Sequence, residues 1–142
     1  NHRYFHVGAA NNLISMAYVK NVIDQTLFLA SNEDANNQIF FSNDLVPYTM
    51  REFSDAAGDY FGYRIVTVPD LIIYPVAYLL GVLKAFGFNM PLYPFRLKNI
   101  KANYCYNIGN SLQLGFFPKY GLREGIRETL DWYVAHDAAF AG

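Results

Sequence analysis

Apolar and polar positions alternate most clearly between residues 13 and 43. Residues 14–19 are rich in β-favouring types and predict a strand, and residues 38–41 predict a second strand after an Asn-rich break. Between them, apolar side chains recur at helical spacing, which predicts one apolar stripe on a helix. The stripe comprises Val19, Val22, Ile23, Thr26, Leu27 and Ala30. A strand, a helix and a strand with short links form the crossover unit of a parallel sheet, so we expect such a unit over residues 14–42.

Further elements are predicted on both sides of this unit. Residues 4–7 and 64–68 predict short strands. Thr49 and Glu52 have the spacing of a capping box, and Gly62 suits the end of the helix that follows. A last helix is predicted over about residues 122–134, with an inner, buried face. That face comprises Leu122, Ile126, Leu130 and Tyr133. The expected fold class is α/β, with helices packed against a few short strands.

Residues 70–88 form the most apolar stretch of the chain. The uncharged run ends at Lys84 and is interrupted by Pro75 and Gly81. It is shorter than the roughly 20 apolar residues that cross a bilayer. We therefore interpret it as a buried or domain-facing helix and do not expect membrane association. The alternatives are a helix that lies against a lipid surface or one that lines an apolar substrate pocket.

The composition indicates a surface that meets something else. Apolar residues make up 53% of the 142 residues and charged residues 16%, below the usual quarter or so. An excess of apolar surface favours contact with another domain, a subunit or an apolar ligand. The net charge of −1 is not typical of a nucleic-acid-binding protein. The N-terminus lacks the apolar core of a signal peptide and does not begin with Met, so we expect a piece of a longer, cytoplasmic protein.

Few side chains suggest chemistry by themselves. The lone cysteine, Cys105, predicts a buried structural thiol, and the pair His2 and His6 is not expected to bind a metal. The densest basic cluster lies at Arg96, Lys98 and Lys101. It predicts either a solvated helix face or a site for an anionic substrate group, because arginine binds phosphate oxygens through two parallel hydrogen bonds.

Three segments, in an order and spacing that cover most of the chain, match the motifs of one enzyme family. They are Gly8-x-x-x-Asn12 with Tyr18-Val19-x-Asn21, residues 40–53 (FFSNDLVPYTMREF) and residues 114–133 (LGFFPKYGLREGIRETLDWY). Together they resemble the extended short-chain dehydrogenase/reductases. That family includes the NAD-dependent epimerase/dehydratases and the relatives of 3β-hydroxysteroid dehydrogenase.

The resemblance implies a fold and its partners. Residues 1–142 would be the substrate-binding C-terminal domain of a two-domain enzyme whose N-terminal Rossmann half is absent here. The unit at residues 14–42 would complete the Rossmann sheet. The resemblance also implies NAD or NADP as the cofactor of the full-length parent and a small-molecule substrate. A homodimer of the parent is left open.

The chain also departs from the family's motifs, and these departures limit which functions are expected of it. The chain has no Tyr-x-x-x-Lys pair and no G-x-G-x-x-G turn, so we expect no catalytic residue here and no cofactor bound by this chain alone. Ala10 stands where the family often has glycine, and Ser15 where it often has aspartate. Ile14 stands where many nucleotide-sugar enzymes have an arginine that binds diphosphate.

The main functional hypothesis is the substrate-binding portion of an NAD(P)-dependent epimerase, dehydratase or reductase that acts on a nucleotide sugar. Arg96 would contact the diphosphate, and Asn12 and Tyr18 would line the same cleft. One alternative is a reductase or dehydrogenase of an apolar, sterol-like alcohol that lies against the helix at residues 71–83. The other alternative is a non-catalytic module that binds a protein through an apolar face.

Overall fold

The computed structural model describes residues 5–89 and 92–136. Over these residues the chain forms six α-helices and four very short strands, as expected for an α/β fold rich in helices. In chain order they are β1 (Phe5–Val7), β2 (Leu13–Ile14), α1 (Val19–Ala30), a 3-10 turn (Glu33–Ala35), β3 (Tyr48–Thr49), α2 (Met50–Phe61), β4 (Val66–Val68), α3 (Asp70–Ala85), α4 (Pro94–Ile100), α5 (Gly109–Gln113) and α6 (Leu122–His136).

The strands form two separate pairs. β1 runs parallel to β4, and β2 runs antiparallel to β3. Tyr104 adds an isolated parallel bridge to Ile14. The strand predicted at residues 14–19 is therefore reduced to Leu13–Ile14. The prediction of a second strand at residues 38–41 is wrong for the described chain, because these residues take no strand conformation.

In residues 38–41, side-chain amides donate hydrogen bonds to the backbone carbonyl groups that a neighbouring strand would otherwise bind. The Gln25 amide donates to the Phe41 carbonyl at 3.0 Å, and the Asn110 amide donates to the Ile39 carbonyl at 3.3 Å. Within residues 5–89 and 92–136, no strand thus closes the crossover unit at residues 14–42. That it completes a Rossmann sheet stays a prediction.

Helix α1 has the predicted boundaries, but its faces are reversed. The buried residues are the polar Asn21 and Gln25. The predicted apolar stripe faces outward, with Val19, Ile23 and Leu27 all more than half exposed. Because apolar side chains gain free energy by leaving water, this stripe is a surface that the described residues leave without a partner.

Helices α2 and α6 pack against each other. The predicted capping box is confirmed, since Thr49 and Glu52 exchange hydrogen bonds at the start of α2, and Gly62 ends the helix with φ of 75°. The inner face of α6 is half-buried rather than buried, and Tyr133 is exposed. Gly125 is the buried residue of α6, because a Cβ there would lie 2.9 Å from the Tyr18 ring.

The apolar core lies where α3 meets α4. Ile73, Ala77 and Leu97 are buried together, and Val7 and Val68 from the parallel strands pack against them. A Cβ at Gly81 would lie 3.0 Å from Pro94, so the absence of a side chain there allows α4 to approach closely. One face of α3 is buried, whereas Leu71 on the opposite face is 87% exposed, and that this face meets another domain stays a prediction.

Two further features bear on the predictions. Among the described residues, none of the helices has the length and apolar character required to cross a membrane. Cys105 is exposed, so the prediction of a buried thiol is wrong. It directly follows Tyr104, the residue that bridges to the short strand β2. Its thiol lies 3.6 Å from the Leu13 carbonyl, and no further layer of the described chain covers it.

Candidate functional site

An apolar cleft of about 200 Å³ opens between α2 and α6, below the segment that leads into α1. Four parts of the chain line the cleft: the segment before α1, the loop at Asp44, helix α2, and helix α6 with the residue before it. The lining residues are Met16, Ala17, Tyr18, Asp44, Phe53, Ala57, Gly121, Leu122, Gly125, Ile126, Thr129 and Leu130. Small-molecule sites usually measure about 300–1,000 Å³. The cleft formed by this chain is therefore smaller than a site for a ligand of ordinary size.

Tyr18 lies at the mouth of this cleft in a network of three polar side chains. Its hydroxyl donates to the Glu128 carboxylate, and the Lys20 ammonium lies 2.5 Å from the same carboxylate. The bond to Glu128 raises the pKa of the Tyr18 phenol, whereas the bonds from Lys20 and Tyr18 lower the pKa of Glu128. Tyr18 therefore stays protonated at neutral pH and cannot accept a proton from a substrate. Its ring can still form a wall of the cleft.

A buried amide beneath the cleft joins three segments of the chain. The Asn21 amide donates to the Asp44 carboxylate at 2.7 Å and to the Tyr120 carbonyl at 2.9 Å. Its carbonyl accepts from the backbone N–H groups of Lys119 and Tyr120 at 3.0 and 3.1 Å. Asp44 also accepts from the Tyr18 N–H at 3.0 Å. Asn21 thus holds the start of α1, the loop at Asp44 and the turn before α6 in one arrangement.

Asp44 and Glu128 were not among the predicted site residues. Asn21 and Asp44 do lie within the quoted motifs, which was the available signal. A motif match could not show that the two side chains bond to each other, since they are 23 positions apart. Glu128 also lies within one of these segments, at residues 114–133, but it is separated from Tyr18 by 110 positions.

The three predicted substrate-binding residues lie in different places. Tyr18 lines the apolar cleft, and Asn12 lines another cavity together with Asp70 and Lys101, where its amide donates to the Ala102 carbonyl at 3.4 Å. Arg96 lies on α4, with its guanidinium carbon 5.9 Å from the Tyr93 ring centre. The fold of this chain does not bring the three side chains into one cleft. Their contacts with a substrate stay predictions.

A buried histidine forms a second polar group that the sequence did not reveal. His6 is 1% exposed, with its Nδ1 3.2 Å from the Ser54 hydroxyl and its Nε2 3.0 Å from the Asp55 carboxylate. These residue types also form hydrolase triads, but here the serine is buried and its hydroxyl donates to the Met50 carbonyl at 2.7 Å. A nucleophile must be accessible to its substrate. The group therefore ties β1 to α2 and has no nucleophilic role.

Metal ligands do not cluster in the part of the chain that the structure describes. Within residues 5–89 and 92–136, no three His, Cys, Asp or Glu side chains are grouped so that they could hold an ion. His2, the other member of the histidine pair with His6, lies outside the described residues.

The chain is similar to curated proteins that are named as sterol or steroid dehydrogenases. It is 31% identical over 89% of its length to 3beta-hydroxysteroid-dehydrogenase/decarboxylase isoform 2 of Arabidopsis thaliana and covers 25% of that protein. It is 31% identical over 90% of its length to a decarboxylating sterol-4-alpha-carboxylate 3-dehydrogenase of Candida albicans and covers 40% of it. An uncharacterised protein of Sinorhizobium fredii is 29% identical over 94% of the chain, which covers 40% of it.

The match is thus to a part of each relative. The chain spans two fifths or less of the length of these curated relatives. No protein-family model matches the chain, and no solved structure matches it significantly.

Proposed function

We propose that this chain is the substrate-binding C-terminal part of an NAD(P)-dependent sterol dehydrogenase of the extended short-chain dehydrogenase/reductase family. One observation carries the proposal: about nine tenths of the chain is similar to several proteins whose names state sterol or 3β-hydroxysteroid dehydrogenation. This similarity favours the sterol-like alternative over the nucleotide sugar of the main hypothesis.

The electrostatics of the cleft support an apolar substrate. Of the residues that line it, Asp44 alone is charged, and it is an acid. A diphosphate would meet a carboxylate there, and the Lys20 ammonium at the mouth is already paired with Glu128. The position of Ile14, where nucleotide-sugar enzymes often have arginine, offers no cation either. An apolar ring system would instead gain free energy by covering the aliphatic side chains of α2 and α6.

The residues described here do not fit the pyrophosphate of a dinucleotide. The glycine-containing turn after β1 leads into β2 and not into a helix, so it lacks the strand–turn–helix arrangement that binds pyrophosphate. The Asp70 carboxylate, which is paired with Lys101 at 2.8 Å, lies so close to Gly8 that a Cβ there would collide with it, so it occupies the space that a phosphate would need. We therefore assign the cofactor site to the part of the parent outside this chain. This chain would contribute by positioning the substrate.

Turnover by the full-length protein tests the proposal directly. A 3β-hydroxysterol, with and without a 4-carboxylate, and a nucleotide sugar would be offered with NAD and with NADP, and the absorbance of the reduced nicotinamide would be followed. We expect reduction with the sterol and none with the nucleotide sugar. Turnover of the nucleotide sugar in place of the sterol would reject the proposal.

Arg96→Ala separates the two substrate classes within one protein. If the substrate is a sterol, KM for it should change less than about twofold, because Arg96 is not among the residues that line the apolar cleft. A diphosphate held by Arg96 would lose a charge-assisted contact, which would raise KM roughly tenfold to a hundredfold. Such an increase for a substrate that is turned over would restore the nucleotide-sugar hypothesis.

A further inference from the structure

The apolar cleft between α2 and α6 combines small residues with large apolar ones. Ala57 of α2 and Gly125 of α6 are among its lining residues, together with Phe53 and Leu130. The absence of a side chain at Gly125 makes room for a further wall, because a Cβ there would lie 2.9 Å from the Tyr18 ring. The volume of the cleft thus depends on positions where a larger side chain would reduce it.

The polar side chains at this cleft already have partners within the chain. Among the described residues that line it, the Thr129 hydroxyl donates to the Gly125 carbonyl at 2.6 Å, and the Tyr18 hydroxyl donates to a carboxylate of α6. Asp44 is 2% exposed and accepts from the Asn21 amide at 2.7 Å and from the Tyr18 N–H at 3.0 Å. A polar group of a ligand would exchange water for groups that are already bonded, which costs free energy. The lining therefore favours an alkyl group.

The volume of the cleft limits how much of a ligand it can hold. An apolar cavity of about 150 Å³ in a protein interior binds benzene, which has six carbon atoms. By the same ratio, the 200 Å³ or so of this cleft hold about eight carbon atoms. The fused rings of a sterol contain many more carbon atoms than that, whereas its branched alkyl side chain is of this size.

The chemistry of the proposed reaction decides which end of a sterol reaches this chain. The cofactor site is assigned to the part of the parent outside residues 1–142, so the carbon that bears the 3β-hydroxyl must lie there, within reach of the nicotinamide. In a sterol, this hydroxyl and the alkyl side chain are at opposite ends of the rigid ring system. A sterol bound with its hydroxyl at the cofactor therefore presents its alkyl chain to another part of the enzyme.

We propose that the cleft between α2 and α6 is the subsite for the alkyl side chain of the substrate. The inference rests on the proposed function and extends it, because it assigns to this chain a selectivity for steroids that carry a long alkyl chain. Contact of the chain with Phe53 and Leu130 would stabilise the bound substrate, since apolar surface on both sides leaves water. A steroid without the chain would leave these side chains in water.

Two substrates that differ only in the alkyl chain test the inference with the full-length protein. Both are 3β-hydroxysteroids with the same ring substituents, each offered with and without a 4-carboxylate, and the reduced nicotinamide is followed by its absorbance. Each buried methylene contributes roughly a fourfold factor to binding, so removal of the chain should raise KM about 100-fold. The value of kcat should change little, because the chain is bound equally in the ground state and in the transition state.

The outcomes separate this inference from the proposed function. Turnover of both steroids with KM values within about threefold of each other would reject the subsite and leave the assignment as a sterol dehydrogenase in place. A decrease in kcat at constant KM would also reject the subsite, since the chain would then contribute only in the transition state. Turnover of neither steroid would reject the proposed function and the subsite together.

Ala57→Leu, with a matched control, locates the alkyl chain in the cleft. The larger side chain occupies part of the cleft, so the ratio of the two KM values should fall about tenfold or more. Ala85→Leu makes the same substitution at an exposed position of α3, outside the lining residues, and should leave the ratio unchanged. An unchanged ratio in Ala57→Leu, or an equal fall in both variants, would refute the assigned place of the chain.

The thermal unfolding midpoint of the full-length protein distinguishes an open cleft from one that the parent itself fills. Without substrate, the midpoint of Ala57→Leu should stay within about 2 °C of that of the unchanged protein, because the added side chain enters open space. A decrease of several degrees, with KM raised equally for both steroids, would show that another part of the parent packs in the cleft. That result would overturn the inference.

Discussion

Ala10 is held in a backbone conformation that alanine rarely adopts. Its φ is 51°, in the left-handed region, where a Cβ crowds the following carbonyl. The family that the sequence resembles often has glycine at this position, and the structure supplies the physical reason. Glycine has no Cβ and enters this region at little cost.

Ala10→Gly should therefore stabilise the protein. The gain in unfolding free energy should be about 1 kcal/mol, the usual cost of a left-handed alanine less the extra freedom of glycine when unfolded. Urea denaturation measures it. The neighbouring Ala9→Gly is the control, because the φ of Ala9 is not positive, and it should destabilise slightly. A loss of stability in Ala10→Gly as large as that in Ala9→Gly would contradict the argument.

Asn21 is a structural residue in spite of its place in a motif of an enzyme family. It is 2% exposed, and both polar ends of its amide are fully hydrogen-bonded.

Asn21→Ala would leave the buried Asp44 and two backbone N–H groups short of partners. We expect a loss of about 2–4 kcal/mol in unfolding free energy, measured by chemical denaturation. Asn99→Ala, at an exposed position of α4, is the control and should change stability by less than about 0.5 kcal/mol. A comparable small change at Asn21 would reject the structural role.

The start and end of helix α2 are determined by residues within or next to the helix itself. The Thr49 hydroxyl accepts from the Glu52 N–H at 3.1 Å, and the Glu52 carboxylate accepts from the Thr49 N–H at 2.8 Å. These bonds satisfy donors that the first turn of a helix leaves free. The hydrogen bonds from Thr49 lower the pKa of Glu52, so the capping box is stronger while Glu52 is ionised.

Thr49→Ala should destabilise the protein by about 1 kcal/mol at neutral pH. Because the folded pKa of Glu52 lies below its ordinary value of 4.5, its stabilisation is present above that value and is lost as the pH falls through the folded pKa. The difference between the variant and the unchanged protein should therefore shrink in acid. Denaturation at neutral and acidic pH measures it, and Thr49→Ser, which keeps the hydroxyl, should behave nearly as the unchanged protein. A difference that is constant with pH would argue against the ionised capping box.

Taken as a whole, the molecule has more apolar surface than its own core can cover. The outward stripe of α1 and the outward face of α3 are both exposed, while a small number of apolar residues are buried, with a cluster where α3 meets α4. The apolar cleft between α2 and α6, of about 200 Å³, likewise exposes apolar side chains to solvent. These surfaces agree with the proposal that the chain works as part of a larger enzyme.

Residues 1–142 alone should not bind a nicotinamide dinucleotide with micromolar affinity. The reason is the absence of a glycine-rich strand–helix turn from this sequence and the acid that faces Gly8. Isothermal titration calorimetry with NAD and NADH measures the affinity, with circular dichroism to confirm that the protein is folded and with the full-length parent as the positive control. Micromolar binding by the folded chain alone would overturn the assignment of the cofactor site.

Local sequence patterns predict an element well where its formation depends on its own residues. The bounds of α1 followed from apolar spacing, and the start and end of α2 from a capping box and a left-handed glycine. The parallel partners β1 and β4 were recognised as short strands, although their pairing was not. Helix periodicity and capping act over three or four residues, and the sequence displays that range directly.

Tertiary contacts determined which face of each element is buried. The apolar stripe of α1 predicted an inner face, yet hydrogen bonds from Asn21 and Gln25 to segments far along the chain turn the polar face inward. Glu128 reaches Tyr18, and His6 reaches Asp55, across separations that no local pattern encodes. A hydrophobic pattern shows that a face will be covered but does not identify the partner that covers it. That choice depends on long-range polar contacts and, for this chain, on surfaces that its own residues leave exposed.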